Sequence, residues 1–339
     1  MDYIQGDILT EEGFIKGHIA FDSDDELSIK RGSSPQKPLV RGLIVPSFVN
    51  SHTHIGDSFI KDKKIELPKN VEDLVAPPNG LKHKLLRTAS KEELINGMEK
   101  SILDMIEKGT SCFCDFRENG VNGISLLKTA LKNKKKIRPI ILSRPLELIY
   151  DKDEINQLLS ISQGVGLSSI SDWEYSEIEK IAKNAKRKGK IVSLHASEVF
   201  REDIDLILDL KPDFLIHMIK ATESDLLRLK EENIPVVICP RSNSYYNLKI
   251  DLKLMKKIGI TLMLGTDNSM LNSPNVLDEL KFILKLSKIF NLEELLKMIT
   301  ITPRKVLNLV DCISGPNLLG NFVVLEKDSL NPIYIKNQR

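Results

Sequence analysis

The sequence predicts a (β/α)8 TIM-like barrel with a small β-sandwich annex built from both chain ends. Three observations predict it. From residue 90 onward, stretches with apolar residues at helical spacing alternate with short apolar runs, the pattern of a parallel sheet covered by helices. Counting the run that leads to His52, eight such runs are each followed by a helix or helix-like segment. The chemically competent polar residues fall at the C-terminal ends of these runs, where barrels gather their active sites. A doubly wound sheet uses the same elements, but it would not naturally bring the ends of its first, fifth, sixth and eighth strands to one point.

In chain order, residues 1–42 hold short apolar stretches (Tyr3-Ile4, Phe14-Ile15, His18-Ile19-Ala20-Phe21, Leu27-Ser28-Ile29) separated by Gly, Asp and Ser, as in β-hairpins. Strand and turn character returns in the tail, so 1–42 and 313–339 are read as one composite annex and 43–312 as the barrel. His18 lies in an annex strand and is read as structural or exposed. An apolar run from Leu43 then opens through Asn50-Ser51 into His52-Thr53-His54. Residues 59–89 are polar and broken by Pro77-Pro78-Asn79-Gly80; loops of that length in compact domains are often lids. His83, near the end of this segment, is read as a substrate contact, with an ordinary surface histidine as the alternative.

Ser90 with Glu93 forms a capping-box start for a helix from about 91 to 108, with Leu94, Met98, Ile102, Met105 and Ile106 on its apolar face. Strands are expected at 110–115, 137–142, 165–170, 191–195, 213–217, 235–239 and 259–265. Helices are expected near 123–132, 153–160, 174–189, 201–210, 222–232, 251–258 and 292–300. Gly164-x-Gly166 is not a dinucleotide fingerprint, because the third glycine and the helix it would open are both missing.

Composition narrows the function. The 339 residues are 41% hydrophobic and 28% charged, enough for a large core, and a net charge of +2 with scattered lysines gives no reason to expect nucleic acid. The four cysteines, at 112, 114, 239 and 312, form no Cys-x-x-Cys pair and sit mostly in apolar runs, so reduced thiols and no disulfides are expected. No segment approaches the about 18 apolar residues of a membrane span, and the start of the chain lacks the regions of a signal peptide. A cytoplasmic protein without membrane or nucleic-acid partners is therefore expected, and a homo-oligomer is compatible with the sequence.

Two imidazoles one residue apart at a strand end point the same way, so His52 and His54 can reach one cation and leave its other positions open. Alone the pair is weak. His195, His217 and Asp267 stand at the ends of three further expected strands, which places four of the chain's six histidines in one register. A barrel would converge them, and a divalent metal site follows.

With these residues in view the chain resembles the amidohydrolase superfamily, in its branch of chlorohydrolases and nucleobase or nucleoside deaminases. The landmarks are Val45-Pro-Ser-Phe-Val-Asn-Ser-His-Thr-His54, Ser193-Leu-His-Ala-Ser-Glu198, Ile216-His217, Cys239-Pro-Arg-Ser-Asn243 and Leu264-Gly-Thr-Asp-Asn268, spread over nearly the whole chain. The resemblance implies that His52, His54, His195 and Asp267 hold one divalent ion, zinc or iron, with manganese as a further option. No lysine stands in Gly164–Asp172, where relatives with two metals carry a bridging one, so a mononuclear site is expected.

The chemistry explains the residue types. A divalent ion among neutral imidazoles and one carboxylate lowers the pKa of its bound water and yields hydroxide as the nucleophile. Asp267 would take the water proton, and Glu198, three residues past His195, would carry it to a ring nitrogen and then to the leaving group. In the family this His-x-x-Glu spacing accompanies deaminases; its alternative here is a helix cap. His217 would polarise the attacked carbon or orient the hydroxide. Asn243 is expected to fix the loop near the metal, and Arg241 to pair with a substrate carboxylate or phosphate or to be a surface arginine. The expected function is hydrolysis of a carbon–nitrogen bond in a small molecule, foremost deamination of a purine, pyrimidine or pterin-like ring. A cyclic amide hydrolase or another leaving-group hydrolase is the rival, and a non-catalytic ligand-binding scaffold the third reading.

Overall fold

The computed structural model describes residues 1–21, 27–309 and 321–336; Cys312 and the expected boundary at 313 lie outside the described residues. The chain opens with the antiparallel pair β1 (Asp2–Thr10) and β2 (Gly13–Phe21), then β3 (Leu27–Arg31) beside β2 and β4 (Val40–Pro46) parallel to β1. The barrel strands follow as β5 (Phe48–His54), β6 (Thr110–Arg117), β7 (Arg138–Ser143), β8 (Gly164–Leu167), β9 (Ile191–Ala196), β10 (Phe214–His217), β11 (Val236–Ile238), β12 (Leu262–Leu264) and β13 (Asp267–Asn268). β14 (Phe322–Leu325) and β15 (Pro332–Lys336) return to the first sheet, whose order is β15-β14-β4-β1-β2-β3.

That first sheet is drawn from both ends of the chain, and its strands alternate as a period of two requires. On one face Ile4, Ile8, Ile19, Ile44, Phe322 and Val324 form their own cluster, while Leu43, Val45, Val323 and Leu325 on the other face join the barrel core. The apolar run from Leu43 therefore serves two sheets. The hand-over is at Pro46-Ser47, where Pro46 has no amide hydrogen to give, Ser47 N bonds Asn321 O at 3.0 Å, and Phe48 N bonds Gly109 O at 2.9 Å.

The barrel sheet is parallel and runs in chain order from β5 to β12. Its eighth strand is broken at Gly265-Thr266. β12 pairs with β11, and β13 pairs with β5 in the register Asp267↔Thr53 and Asn268↔His54, so the sheet closes on itself. Glycine permits the close approach at this point: a Cβ on Gly265 would stand 2.6 Å from the His52 Cβ.

The helix Lys91–Glu107 carries the expected capping box in full, with Glu93 N donating to Ser90 Oγ at 3.2 Å and Ser90 N to Glu93 Oε2 at 2.8 Å. The segment read as a long loop is built from short helices instead: Ile55–Lys63 as a 3-10 helix, then Val71–Leu74 and Leu81–Thr88. Local capping accounts for the second of them, Val71–Leu74, where the Asn70 side chain accepts from Asp73 N at 2.8 Å. The described cysteines, Cys112, Cys114 and Cys239, are buried. No helix among the described residues is long and apolar enough to cross a membrane.

Candidate metal centre

β5 delivers two of the site's side chains, β9 and β10 one each, and β13 the fifth. His52, His54, His195 and Asp267 come together with one potential ligand atom each, all within 4.8 Å of one another. His52 Nε2 lies 3.3 Å and His54 Nε2 3.7 Å from Asp267 Oδ1, and the Nε2 atoms of His54 and His195 are 3.3 Å apart. His217 and Asp267 both hold a left-handed backbone, at φ 78° and 59°, the kind of local strain that persists where surrounding packing demands a particular side-chain position.

The donor set fits a divalent cation. His195 Nδ1 faces Leu167 O at 2.9 Å, and His54 Nδ1 faces both Phe116 O at 3.1 Å and Glu118 Oε1 at 2.7 Å. Each Nδ1 must carry the hydrogen to satisfy those oxygens, which leaves both Nε2 atoms as bare lone pairs. Two lone pairs 3.3 Å apart beside an aspartate cannot bond one another. A cation between them resolves the conflict, with Nδ1 anchored by oxygen acceptors as metal-binding histidines usually are.

The electrostatics agree. Burial, with the Lys82 charge, lowers His54 to about 3; burial lowers His195 well below the ordinary range; burial lowers His217 to about 4. The rings are therefore neutral at physiological pH, as metal coordination requires. Burial works against ionisation of Asp267, but its hydrogen bond with His52 and the imidazoles packed around it hold the carboxylate well below its usual range. Asp267 also accepts from Ser242 Oγ at 2.5 Å and from Asn268 Nδ2 at 2.9 Å.

Above these residues lies a cavity of about 520 Å³, the size of a small-ligand site, with His54, His195, His217, Glu198 and Asp267 in its wall. Glu198 Oε1 is 3.4 Å from His217 Nε2, and burial, reinforced by Asp267 and Asp172, pushes its carboxyl well above the ordinary range. Asn243 Nδ2 is 3.3 Å from His217 Nδ1, so Asn243 meets the ring of His217 from beneath and does not line the cavity.

Two residues expected near substrate sit elsewhere. Arg241 lies off the cavity wall: Nε bonds Glu279 Oε1 at 2.6 Å, its backbone N bonds Glu279 Oε2 at 2.9 Å, and Nη2 bonds Ser273 O at 2.8 Å. Glu279, 38 residues on in the sequence, takes the guanidinium that was expected for a substrate anion. His83 is buried with Nε2 on Val75 O at 3.0 Å, and the cavity wall receives its neighbour Lys82 instead. His18 is buried in the annex with Nδ1 3.1 Å from Gly32 O.

Sequence reading missed Lys82, Glu118 and Arg144. Arg144 follows β7, is only 8% exposed and lines the cavity, yet its guanidinium makes no hydrogen bond or ion pair among the described residues. The one signal available was its place just past a strand end, shared with Glu118 after β6.

The description "Amidohydrolase family" belongs to the family model that matches residues 43–314. The chain is 40% identical over 323 residues to an uncharacterised protein of Methanocaldococcus jannaschii, covering 90% of this chain and 81% of that one. It is 25% identical over 337 residues to a 5-methylthioadenosine/S-adenosylhomocysteine deaminase of Caldicellulosiruptor saccharolyticus, covering 88% and 75%. Among solved structures, 5-methylcytosine deaminase from Klebsiella pneumoniae superposes with a TM-score of 0.76 at 14% identity, covering 99% of this chain and 97% of that one. An adenosine deaminase from Xanthomonas campestris with bound zinc superposes with a TM-score of 0.71 at 17% identity, covering 97% and 85%. With a matching barrel, a donor set built for a divalent ion and a family match over most of its length, the chain belongs to the amidohydrolase family and is a metal-dependent hydrolase.

Proposed function

We propose that the protein deaminates an aromatic N-heterocycle, a purine, pyrimidine or pterin-like ring, using one divalent ion held by His52, His54, His195 and Asp267. Zinc and iron(II) suit three imidazoles and a carboxylate, and manganese is the third option. Glu198 carries the reading: a buried carboxyl in the cavity wall beside His217, with its affinity for a proton raised by burial. A carboxyl that holds its proton more tightly than usual can give it to a ring nitrogen, and a ring amine does not leave until that nitrogen is protonated.

The ion, when bound, supplies a water that ionises near neutral pH. Asp267, held ionised, accepts a proton from the attacking water. Glu198 gives its own proton to the ring nitrogen, recovers one from the attacking water and passes it to the departing nitrogen, and Asp267 returns the water's other proton to Glu198, so water and the amine become a ring carbonyl and ammonia and both carboxyls end as they began. His217 presents Nε2 to the reacting carbon's substituent while Asn243 holds its other nitrogen. The deaminase named among the relatives supports an aminopurine within this class. The Arg144 guanidinium favours a ring bearing an anionic substituent, a carboxylate or a phosphate, in place of the role expected of Arg241.

The test is ammonia release by metal-loaded protein over a panel of aminopurines, aminopyrimidines and pterins, each with and without an acidic substituent. Ammonia from at least one compound, faster with the acidic substituent, is expected. Ring opening of cyclic amides with no ammonia from any amine would replace this reading by the amide-hydrolase one.

A further inference from the structure

Lys82 is a buried cation that the reaction outlined above does not use. Only 2% of it is exposed, on the helix Leu81–Thr88 that follows the cavity-lining turn at Val71–Asn79. Its Nζ is 2.5 Å from Glu118 Oε1, donates to Asn268 Oδ1 at 2.9 Å, and is 3.7 Å from Asp57 Oδ2. An ammonium taken from water carries a large desolvation penalty, and an apolar side chain would fill the same space without it. Such a residue persists because of what it holds.

What it holds are the partners of two different metal ligands. Glu118 Oε1 also faces His54 Nδ1 at 2.7 Å, and Asn268 Nδ2 donates to Asp267 Oδ1 at 2.9 Å. His54 ends β5 and Asp267 begins β13, the two strands whose pairing closes the barrel. One ammonium thus reaches both ligands, Asp267 through two hydrogen bonds and His54 through the Glu118 carboxylate it pairs with, across the seam of the sheet. Glu118 is already paired by Arg117 Nη2 at 2.6 Å through its other oxygen, so neutralising Glu118 does not by itself require Lys82.

We propose that Lys82 is a positioning residue for the metal site: by bridging Glu118 and Asn268 it sets His54 and Asp267 at a common spacing, and it ties metal retention to the seating of the helix that borders the cavity. The proposal rests on the reading of His52, His54, His195 and Asp267 as the ligands. Glu118 joins Phe116 O in fixing which nitrogen of His54 carries the hydrogen, and Asn268 joins Ser242 in fixing which way the Asp267 carboxylate turns. Lys82 couples the two settings, so that a disturbance of either helix or substrate contact at Val71–Asn79 reaches both ligands together.

The experiment compares wild-type protein with Lys82→Met, Glu118→Gln and the double variant, each loaded with cobalt(II). Two quantities are read: the visible absorption of the bound cobalt, which reports ligand geometry, and cobalt affinity from competition with a chelator. Loss of partners of this kind weakens metal binding by about 10–100-fold, and each single variant is expected to fall in that range with an altered cobalt spectrum. The double variant is expected to lose little more than either single one, because both break the same bridge. Thermal unfolding of the metal-free proteins separates this from a folding defect: each variant should still unfold in one cooperative transition, Lys82→Met earlier than wild type because Glu118 and Asp57 lose a cation they face. If Lys82→Met does not fold, Lys82→Gln, which keeps a hydrogen-bond donor and loses the charge, decides in its place. Unchanged affinity and spectrum in the folded variants overturn the bridge while leaving the ligand assignment intact; a wild-type protein that binds no cobalt overturns the ligand assignment beneath it.

Discussion

In the annex sheet the buried face is Ile4, Ile8, Ile19, Ile44, Phe322 and Val324, whereas the rim of the barrel at β5, β6, β10 and β13 buries His52, His54, Asp115, Arg117, His217 and Asp267. Burial itself stabilises the first region, at roughly 1.5–3 kcal/mol for each large aliphatic side chain. In the second, each buried group carries a desolvation cost that its neighbours must offset. Asp115 shows how: Arg117 Nη1 at 3.2 Å, Ile55 N at 2.9 Å and Thr53 Oγ1 at 3.1 Å surround one carboxylate. Arg117 in turn needs Gly56, where a Cβ would stand 1.9 Å from Nη2. The contrast separates residues that hold the fold from residues that hold the chemistry, and substitutions can be chosen on either side of it.

The largest expected effect is on chemistry. Glu198→Gln should cut ammonia release about 10²–10⁴-fold, as loss of a general acid does, with no loss of thermal stability, because a neutral amide of the same shape replaces a carboxyl whose charged form burial disfavours. Next comes Arg241→Ala, which leaves Glu279 buried without its partner. Roughly 3 kcal/mol of stability should be lost in denaturant titrations at pH 8, with KM unmoved. Glu279 is pushed up to about 7, so at pH 5 it holds a proton and the loss should shrink. A raised KM with unchanged stability would return Arg241 to the substrate.

A smaller effect belongs to His83, lowered to about 3 by burial and the nearby Arg144 and Lys82 charges. The unfolded chain binds this proton below about pH 6.5 and the folded one does not, so its contribution is present above 6.5 and falls as pH drops towards 3. Between pH 7 and pH 5 the wild type should lose on the order of 2 kcal/mol more than His83→Gln does. Smallest is Ile44→Val in the annex, about 0.5–1.5 kcal/mol of stability with activity untouched. A change in activity there would blur the division between the two regions.

The strand-end histidines were legible because their signals are local. His52 and His54 share a face by spacing alone, and His195, His217 and Asp267 each close an apolar run. The helix at Lys91–Glu107 was legible for the same reason, through Ser90 and Glu93. The short helices within 55–88 were not, because Pro, Gly and charged residues there mask turns that depend on caps such as Asn70. Lys82 and Arg144 were missed because a lysine on a short helix and an arginine after a strand read as solvated; only the cavity shows otherwise. Arg241 was misplaced because its partner Glu279 comes from a later helix, Val276–Leu286, and no local pattern records that pairing.

The central claim is that one divalent ion sits among His52, His54, His195 and Asp267, and counting metal per chain tests it most directly. Protein stripped with chelator, reloaded with zinc and desalted should carry one ion per chain by elemental mass spectrometry, and the Asp267→Asn and His195→Ala variants should carry close to none. A wild-type chain that retains no zinc, or variants that retain as much as wild type, would contradict it.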